Sequence, residues 1–365
     1  MLEGVRIIDF TQTLPGPFAS MRLADRGAEV IKIEPLKGEP ARYMGEMKDG
    51  VGLLYLANNR NKKSIALNLK TEEGKQIALN LARHCDVLIE SFRPGVMERL
   101  GLSYQEVSRV NPIVIYASLS GYGQNGLMSR QASHDLNFMA LSGALAQLRD
   151  QKGSLIHPTI LLADMVGGIS ASETILAALV QRGIKKRGGY LDISILEEMV
   201  RLMGTHAAIY NETGNKHGPV LLAGGMISYG LYGTKDERTV ALAALEPKFW
   251  THFCHAVDRS QWIPAQMTPQ TDSNPVYLEL CQLFQSRTWE EWLEFGLKAD
   301  CCLTPVIEAG EWEWHPHFLE RKQKIRDEDS PSPVKVGQHT REILQEWLRA
   351  DEEQIDKWIE NRIIL

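Results

Sequence analysis

The 365-residue sequence has only five cysteines (Cys85, Cys254, Cys281, Cys301 and Cys302), and no two of them form a CxxC pair. An odd count without that spacing argues against a disulfide framework and suits free thiols in a reducing compartment. The adjacent Cys301 and Cys302 read as two core thiols rather than a redox device. No uninterrupted run of 18 apolar residues occurs, so no membrane span is expected. Glu3, Arg6 and Asp9 interrupt the first ten residues, which rules against a signal peptide, and the ending 361–365 is no retention or peroxisomal signal. The expected location is therefore cytoplasmic. Positive charge is not in excess: the formal net charge is -6, so no global field draws the chain to nucleic acid or an anionic membrane. The glycine fingerprint GxGxxG and the Walker lysine loop are both missing, which sets aside NAD, FAD and P-loop nucleotides.

What is present is ordinary globular composition, 44% hydrophobic and 24% charged, over a length that suits two domains. Residues 5–10, 30–34, 64–69, 86–91 and 113–119 are rich in Val, Ile and Leu and predict strands. Helical spacing fills 17–26, 72–83 and 104–110 between them. This alternation predicts an α/β domain with a parallel sheet, whose strands are nearly all apolar because both faces are covered. A further helix is expected over 170–181 and a strand over 190–195. Residues 197–225 read as a helix followed by a Gly-rich crossing. A hairpin over 229–232 and 239–243 then opens a region of Trp- and Phe-bearing helices. The predicted organisation is a large Rossmann-like domain (1–196), a linker (197–225), a small α+β domain (226–310), a second linker (311–335) and C-terminal helices (336–365) that return to the large domain.

Candidate phosphate ligands are basic. Arg60, Lys62 and Lys63 lie in one short run, Lys32, Lys37 and Arg42 at the preceding strand and its loop, and Arg93 after a predicted strand end. Guanidinium forks suit phosphate oxygens, although a solvated turn explains such a run equally. Gly121-Tyr122-Gly123 also follows a strand, where glycines permit close approach of backbone to ligand, or simply a turn. The titratable candidates are His134, Asp135, Asp164 and Glu246. His134 and Asp135 open a helix, and Asp135 favours its positive end. Asp164 stands among apolar residues just before the helix expected from residue 170. It reads either as an N-cap or as a carboxyl whose pKa is raised for proton transfer. Glu246 is likewise a cap or a site carboxylate.

Several segments together resemble CoA-transferase family III, the CaiB/BaiF family. They are Leu2-Glu3-Gly4-Val5-Arg6-Ile7-Ile8-Asp9-Phe10, Leu14-Pro15-Gly16-Pro17, Gly27-Ala28-Glu29-Val30-Ile31-Lys32-Ile33-Glu34 and Asn59-Arg60-Asn61-Lys62-Lys63-Ser64. Asp86-Val87-Leu88-Ile89-Glu90-Ser91-Phe92-Arg93-Pro94-Gly95, the Gly121-Tyr122-Gly123 turn, Asp164 with Gly167-Gly168, and the run Gly188-Gly189-Tyr190-Leu191-Asp192-Ile193-Ser194 continue the pattern. The match is dense to about residue 250 and thin beyond it. The resemblance implies two ring-like chains interlocked as a homodimer, with active sites between domains of different subunits. It also implies a CoA thioester as substrate, with contacts among Lys32, Arg60, Lys63, Arg93, Gly121, Tyr122, Gly123 and Asp135. No metal and no separate cofactor are implied.

Two chemistries share the family. In its transferases the aspartate matching Asp164 attacks an acyl-CoA carbonyl and passes through an aspartyl-CoA thioester. In its racemases, which act on 2-methylacyl-CoA, that aspartate carries a proton at the α-carbon while a histidine–glutamate pair serves the opposite face. Ser133-His134-Asp135-Leu136-Asn137-Phe138 resembles the racemase segment, with Ser133 and Phe138 as departures, and Leu245-Glu246-Pro247-Lys248-Phe249-Trp250 resembles its glutamate segment. The Gly-rich loop of the transferases is shortened to Ala223-Gly224-Gly225-Met226. Gly230 departs from the racemase pattern, which has an aspartate shortly after the tyrosine matching Tyr229. The expectation is a two-base racemase using His134, Asp164 and Glu246. CoA transfer is the alternative, and a CoA-binding protein without either activity is the third reading.

Overall fold

A computed structural model describes residues 1–150, 153–219, 222–321 and 334–365. They form two compact units, Met1–Gly204 with Asp329–Leu365, and Thr205–Glu328.

The first unit is built on six parallel strands: β1 (Arg6–Asp9), β2 (Glu29–Glu34), β5 (Lys62–Ala66), β6 (Val87–Glu90), β7 (Ile115–Ser120) and β8 (Gly189–Ser194). Their order across the sheet is β5-β2-β1-β6-β7-β8. A short hairpin, β3 (Met47–Lys48) with β4 (Val51–Gly52), lies outside this sheet. The helices are α1 (Pro15–Ala24), α2 (Leu53–Asn58), α3 (Glu72–Ala82), α4 (Val96–Arg99), α5 (Tyr104–Val110), α6 (Asp135–Leu141), α7 (Leu162–Lys185) and α8 (Ile195–Leu202). The first unit is completed by α14 (Thr340–Leu348) and α15 (Glu352–Glu360).

Successive strand residues point to opposite faces, so each strand must be apolar on both. Ile8, Ile31, Ile65 and Leu88 pack with Ile77 and Leu81 of α3, Val107 of α5, and Ile343, Leu344, Trp347 and Ile355 of the last two helices. Their neighbours Ile7, Val30, Val87 and Ile89 face the other way, onto Leu23 of α1, Phe138 of α6, and Ala163, Ala171 and Ile175 of α7. Helix starts follow local chemistry. Thr71 Oγ1 accepts from Gly74 N–H, and Ser103 and Glu106 form a reciprocal box at α5. By length and composition alone α7 is apolar enough to cross a membrane. It lies instead against α1 with no room to spare: a Cβ on Gly168 would stand 2.7 Å from the Pro15 carbonyl oxygen and 2.8 Å from the Phe18 ring.

The second unit holds α9 (Gly204–Thr213), then β9 (Tyr229–Gly233) and β10 (Thr239–Ala243), the expected hairpin, which pairs antiparallel with β11 (Leu303–Pro305). Around it are α10 (Pro247–Ala256), α11 (Pro275–Gln285), α12 (Trp289–Ala299) and α13 (Pro316–Glu320). Its core is aromatic, and the indoles at its centre find acceptors: Trp250 Nε1 donates to the Trp262 carbonyl (3.1 Å) and Trp292 Nε1 to that of Phe284 (2.9 Å).

One sequence expectation is corrected. The helix expected over 170–181 begins eight residues earlier, at Leu162, because Asp164 interrupts its apolar pattern without breaking it. The stretch 197–225, read as a helix and then a Gly-rich crossing, holds the rest of α8 and α9 up to Thr213, followed by the segment with Gly214, Gly218, Gly224 and Gly225. Its residues 220–221 lie outside the described residues. In the second predicted linker, 311–314 and 316–320 are helical turns, while 322–333 lie outside the described residues.

Candidate active site

The loop from β1 to α1 rests on a buried ion network that sequence reading missed. Asp9 Oδ1 accepts from the Thr11 amide (2.8 Å), and its Oδ2 accepts from Ser20 Oγ (2.6 Å) and Lys62 Nζ (3.0 Å). Lys32 Nζ donates to the Thr11 carbonyl (2.8 Å) and pairs with Glu39 (3.2 Å), whose other oxygen accepts from Thr13 N–H (2.8 Å). Glu34 takes both arms of Arg42 at 2.7 Å. Burial alone would raise the Asp9 carboxyl, but Lys62 and Lys32 beside it bring it down to about 2. Lys32, expected as a phosphate contact, is therefore no free cation: it is wholly buried and spent on Glu39 and the Thr11 carbonyl. Arg42 is engaged in the same way.

The glycine turn after β7 sets the next layer. Gly123 has φ +79°, a left-handed conformation that disfavours a side chain, and the following Gln124 amide donates to both oxygens of Asp192 at 3.1 Å. A Cβ on Gly121 would meet the Phe138 ring at 2.6 Å and Ser133 Oγ at 2.9 Å. The Tyr122 ring stands edge-on to Phe138 at 5.4 Å. The two departures from the racemase segment, Ser133 and Phe138, are thus the residues that pack on this turn, and they hold the start of α6.

His134 occupies the N-cap position of α6, is exposed, and its backbone N–H donates to Asn137 Oδ1 (3.0 Å). Asp135, only 5% exposed, reaches across to α7: its Oδ1 accepts from the Asp164 backbone N–H at 3.0 Å. Asp164 is the third residue of α7 and not its cap, which is Leu161. Burial, with the Asp135 carboxylate adding to it, pushes the Asp164 carboxyl up to about 7. The positive end of α7 favours the ionised form, so desolvation here outweighs a helix terminus. Gly167 and Gly168 explain themselves as packing: they admit Ile195 on one side and the Pro15 backbone on the other.

Glu246 belongs to the second unit. It sits at the N-cap position of α10 but makes no side-chain cap bond, and Pro247 follows it at the first helical position. Its charge, after burial, helps to raise the Cys302 thiol. Gly230 is filled space: a Cβ there would stand 1.9 Å from Gln270 Nε2, which donates to the Met226 carbonyl (2.6 Å). Gln270 thus leaves no place for the aspartate of the racemase pattern.

The basic candidates divide. Arg60 pairs with Asp25, and Lys63 with Glu29 (3.1 Å) and Glu342 (2.8 Å), both side chains remaining partly exposed. Arg93 stands apart from them at a cavity of about 520 Å³, together with Arg130, Tyr104, Tyr190 and Glu90. Arg130, Tyr104 and Tyr190 were not singled out by the sequence, since nothing local marks residues that meet only through the sheet. No group of three or more possible metal ligands occurs among the described residues.

The profile of CoA-transferase family III matches residues 2–349. The α-methylacyl-CoA racemase of Mus musculus is 33% identical over 379 residues, covering 97% of this chain and 95% of the racemase. The succinyl-CoA:glutarate CoA-transferase of the same organism is 32% identical over 400 residues, covering 100% of this chain and 90% of the transferase. The crystal structure of a CaiB/BaiF family protein from Brucella suis superposes with a TM-score of 0.82 at 22% identity, covering 95% of this chain and 99% of that one.

Proposed function

This chain belongs to CoA-transferase family III, and we propose that within it the chain is a racemase acting at the α-carbon of 2-methylacyl-CoA thioesters. One observation carries the choice over CoA transfer: the Asp164 carboxyl is raised to about 7. A group that must both give and take a proton works best with its pKa near the working pH, whereas an attacking carboxylate works ionised. In one direction neutral His134 removes the α-proton, the thioester enolate forms, and protonated Asp164 delivers a proton to the opposite face. The reverse direction starts from the Asp164 carboxylate and the imidazolium. Glu246 takes the part that the family resemblance gives it, support of the charged form of the histidine. The route needs no metal and no redox cofactor.

Arg93 is the CoA contact that the cavity favours, with Arg60 and Lys63 as solvent-reached phosphate contacts. The partner we infer is a second copy of this chain, interlocked with the first. In support, α7 and α8 leave the aliphatic side chains Val180 (65%), Ile184 (76%), Val200 (52%) and Leu202 (54%) exposed. The location we infer is the cytoplasm, where its five free cysteines stay reduced.

The test is incubation of one 2-methylacyl-CoA epimer in deuterated water, with and without a free carboxylic acid. Epimerisation with deuterium at the α-carbon, independent of the acid, is the expected result. New acyl-CoA formed only with the acid, and no α-deuterium, overturns the racemase reading in favour of CoA transfer. CoA binding with neither reaction leaves the third reading, a binding protein.

A further inference from the structure

On the face of the sheet that carries α3 and α5, residues of β6, β7, β8, α4 and α5 line the cavity of about 520 Å³. Glu90 ends β6 directly beside Ser118 of β7, and Tyr116 of β7 lies beside Tyr190 of β8. Tyr104 of α5 completes a wall of three rings, with centroids 5.3–5.9 Å apart. Into this pocket faces a carboxyl that the mechanism above does not use. Glu90 is only 3% exposed, yet no ion pair to it occurs among the described residues. Its polar contacts are the Phe92 amide, which donates to Oε2 at 2.8 Å, and the Ser118 hydroxyl. The nearby charges, Glu98 of α4 and Asp192 of β8, are both acidic. Arg93 and Arg130 line the same cavity but are exposed to solvent.

A buried carboxyl with acidic neighbours and no cation paired to it is more stable neutral than ionised. Burial first, and then Glu98 and Asp192, raise Glu90 to about 7 against the Ser118 and Phe92 hydrogen bonds. In the neutral form the group has what a carboxylate lacks, a hydrogen to donate. Two guanidiniums that share a cavity with a neutral acid make a site for an anion, and ionising the acid would oppose that anion directly.

We propose that Glu90 is a specificity-determining residue that binds as a neutral carboxylic acid, donating to the phosphate-bearing part of the CoA thioester held by Arg93 and Arg130. Proton and ligand then bind together: at pH above the titration of Glu90, CoA binding draws a proton onto it. This inference rests on the acyl-CoA reading and adds to it a pH response of affinity that is separate from the catalytic groups.

The experiment is calorimetric titration of the full-length protein with CoA in two buffers of different ionisation heat, slightly above neutral pH. The wild type is expected to take up about one proton more than Glu90→Gln, whose side chain is neutral at every pH. Wild-type affinity falls up to about tenfold per pH unit above the titration, and that of Glu90→Gln does not. Titration of the CoA phosphates contributes alike to both proteins and cancels in the comparison. Asp164→Asn, which removes the other carboxyl raised to about 7, keeps the uptake. Equal uptake by the wild type and Glu90→Gln overturns the proposal, and so does an uptake lost in Asp164→Asn. Should Glu90→Gln not fold, wild-type affinity unchanged across neutrality overturns it alone. Failure of the folded wild type to bind CoA on either side of neutrality is a different result, and it overturns the acyl-CoA reading itself.

Discussion

Asp135 accepts a hydrogen bond from the backbone amide of Asp164, so one carboxylate both anchors the first turn of α7 and opposes ionisation of the acid that turn carries. The two effects separate in Asp135→Asn. The amide oxygen keeps the acceptor, whereas the negative charge disappears. Asp164 then ionises at lower pH, and the pH dependence of kcat/KM that reports it moves toward acid. Asp135→Ala removes the anchor as well, and its loss of activity is the larger of the two. A profile unmoved in Asp135→Asn would show that burial alone sets the proton affinity of Asp164.

Gly168 sets how closely α7 approaches α1, one turn beyond Asp164. In Gly168→Ala the new methyl meets the Pro15 carbonyl oxygen at 2.7 Å, and backbone has nowhere to yield cheaply. Overpacking of this kind costs about 1–3 kcal/mol. The expected outcome is a lower denaturant midpoint together with a fall in kcat, since α7 carries Asp164 as it shifts. Gly183→Ala, on the same helix with open space around it, is the control: it leaves kcat unchanged and does not lower the midpoint, since Ala favours the helix over Gly.

Asp9 holds two buried ammonium groups, and Asp9→Asn leaves Lys62 and Lys32 short of their counter-charge. Breaking a buried pair by removing one partner costs about 3–5 kcal/mol. Lys62, lowered by burial to about 8 even with Asp9 present, then sheds its proton more readily. The Asp9 carboxyl is depressed from 3.8 to about 2 in the folded protein. Its stabilisation is therefore complete above the unfolded value and disappears as pH falls through the folded one. Equilibrium unfolding followed through this acid range in the wild type and in Asp9→Asn checks the assignment: the gap between the two proteins closes toward pH 2.

The parallel sheet was legible because doubly buried strands read as apolar runs, and the glycine turn because Gly121 and Gly123 admit no side chain of ordinary size or conformation. Lys32 and Arg42, read as candidate phosphate ligands, turn out to be buried for a physical reason. Charged residues in a strand look like an edge near solvent, and here they lie inside, neutralised by Asp9, Glu39 and Arg42 from other segments. That pairing spans residues distant in sequence, which no local pattern records. The start of α7 was misplaced because Asp164 looks like a cap, and only its burial shows that it sits inside the helix. Glu90 was hidden in plain view, an acid closing an apolar strand, whose meaning depends on a cavity made by four other segments.

The division of labour among His134, Asp164 and Glu246 gives the sharpest prediction. In a two-base enzyme each base faces one epimer, so the variants differ in which epimer still exchanges its α-proton with solvent. His134→Ala abolishes epimerisation but retains exchange from the epimer whose proton faces Asp164. Asp164→Asn retains exchange only from the other epimer. Glu246→Gln is milder than either, because it removes support for the imidazolium and no proton carrier. The acid limb of the wild-type profile for the direction in which Asp164 is the base falls near 7, the value to which burial and Asp135 raise it. Below that pH Asp164 is protonated and cannot accept the α-proton, so this direction slows as pH falls, whereas the opposite direction draws on the protonated form and slows as pH rises. A transferase produces another pattern, with Asp164 essential, His134→Ala substantially active, and hydroxylamine trapping a covalent intermediate on Asp164 during turnover. Epimer-resolved deuterium exchange in the three variants, read beside hydroxylamine trapping in the wild type, separates the two chemistries: labelling at Asp164 with an active His134→Ala enzyme would end the racemase assignment.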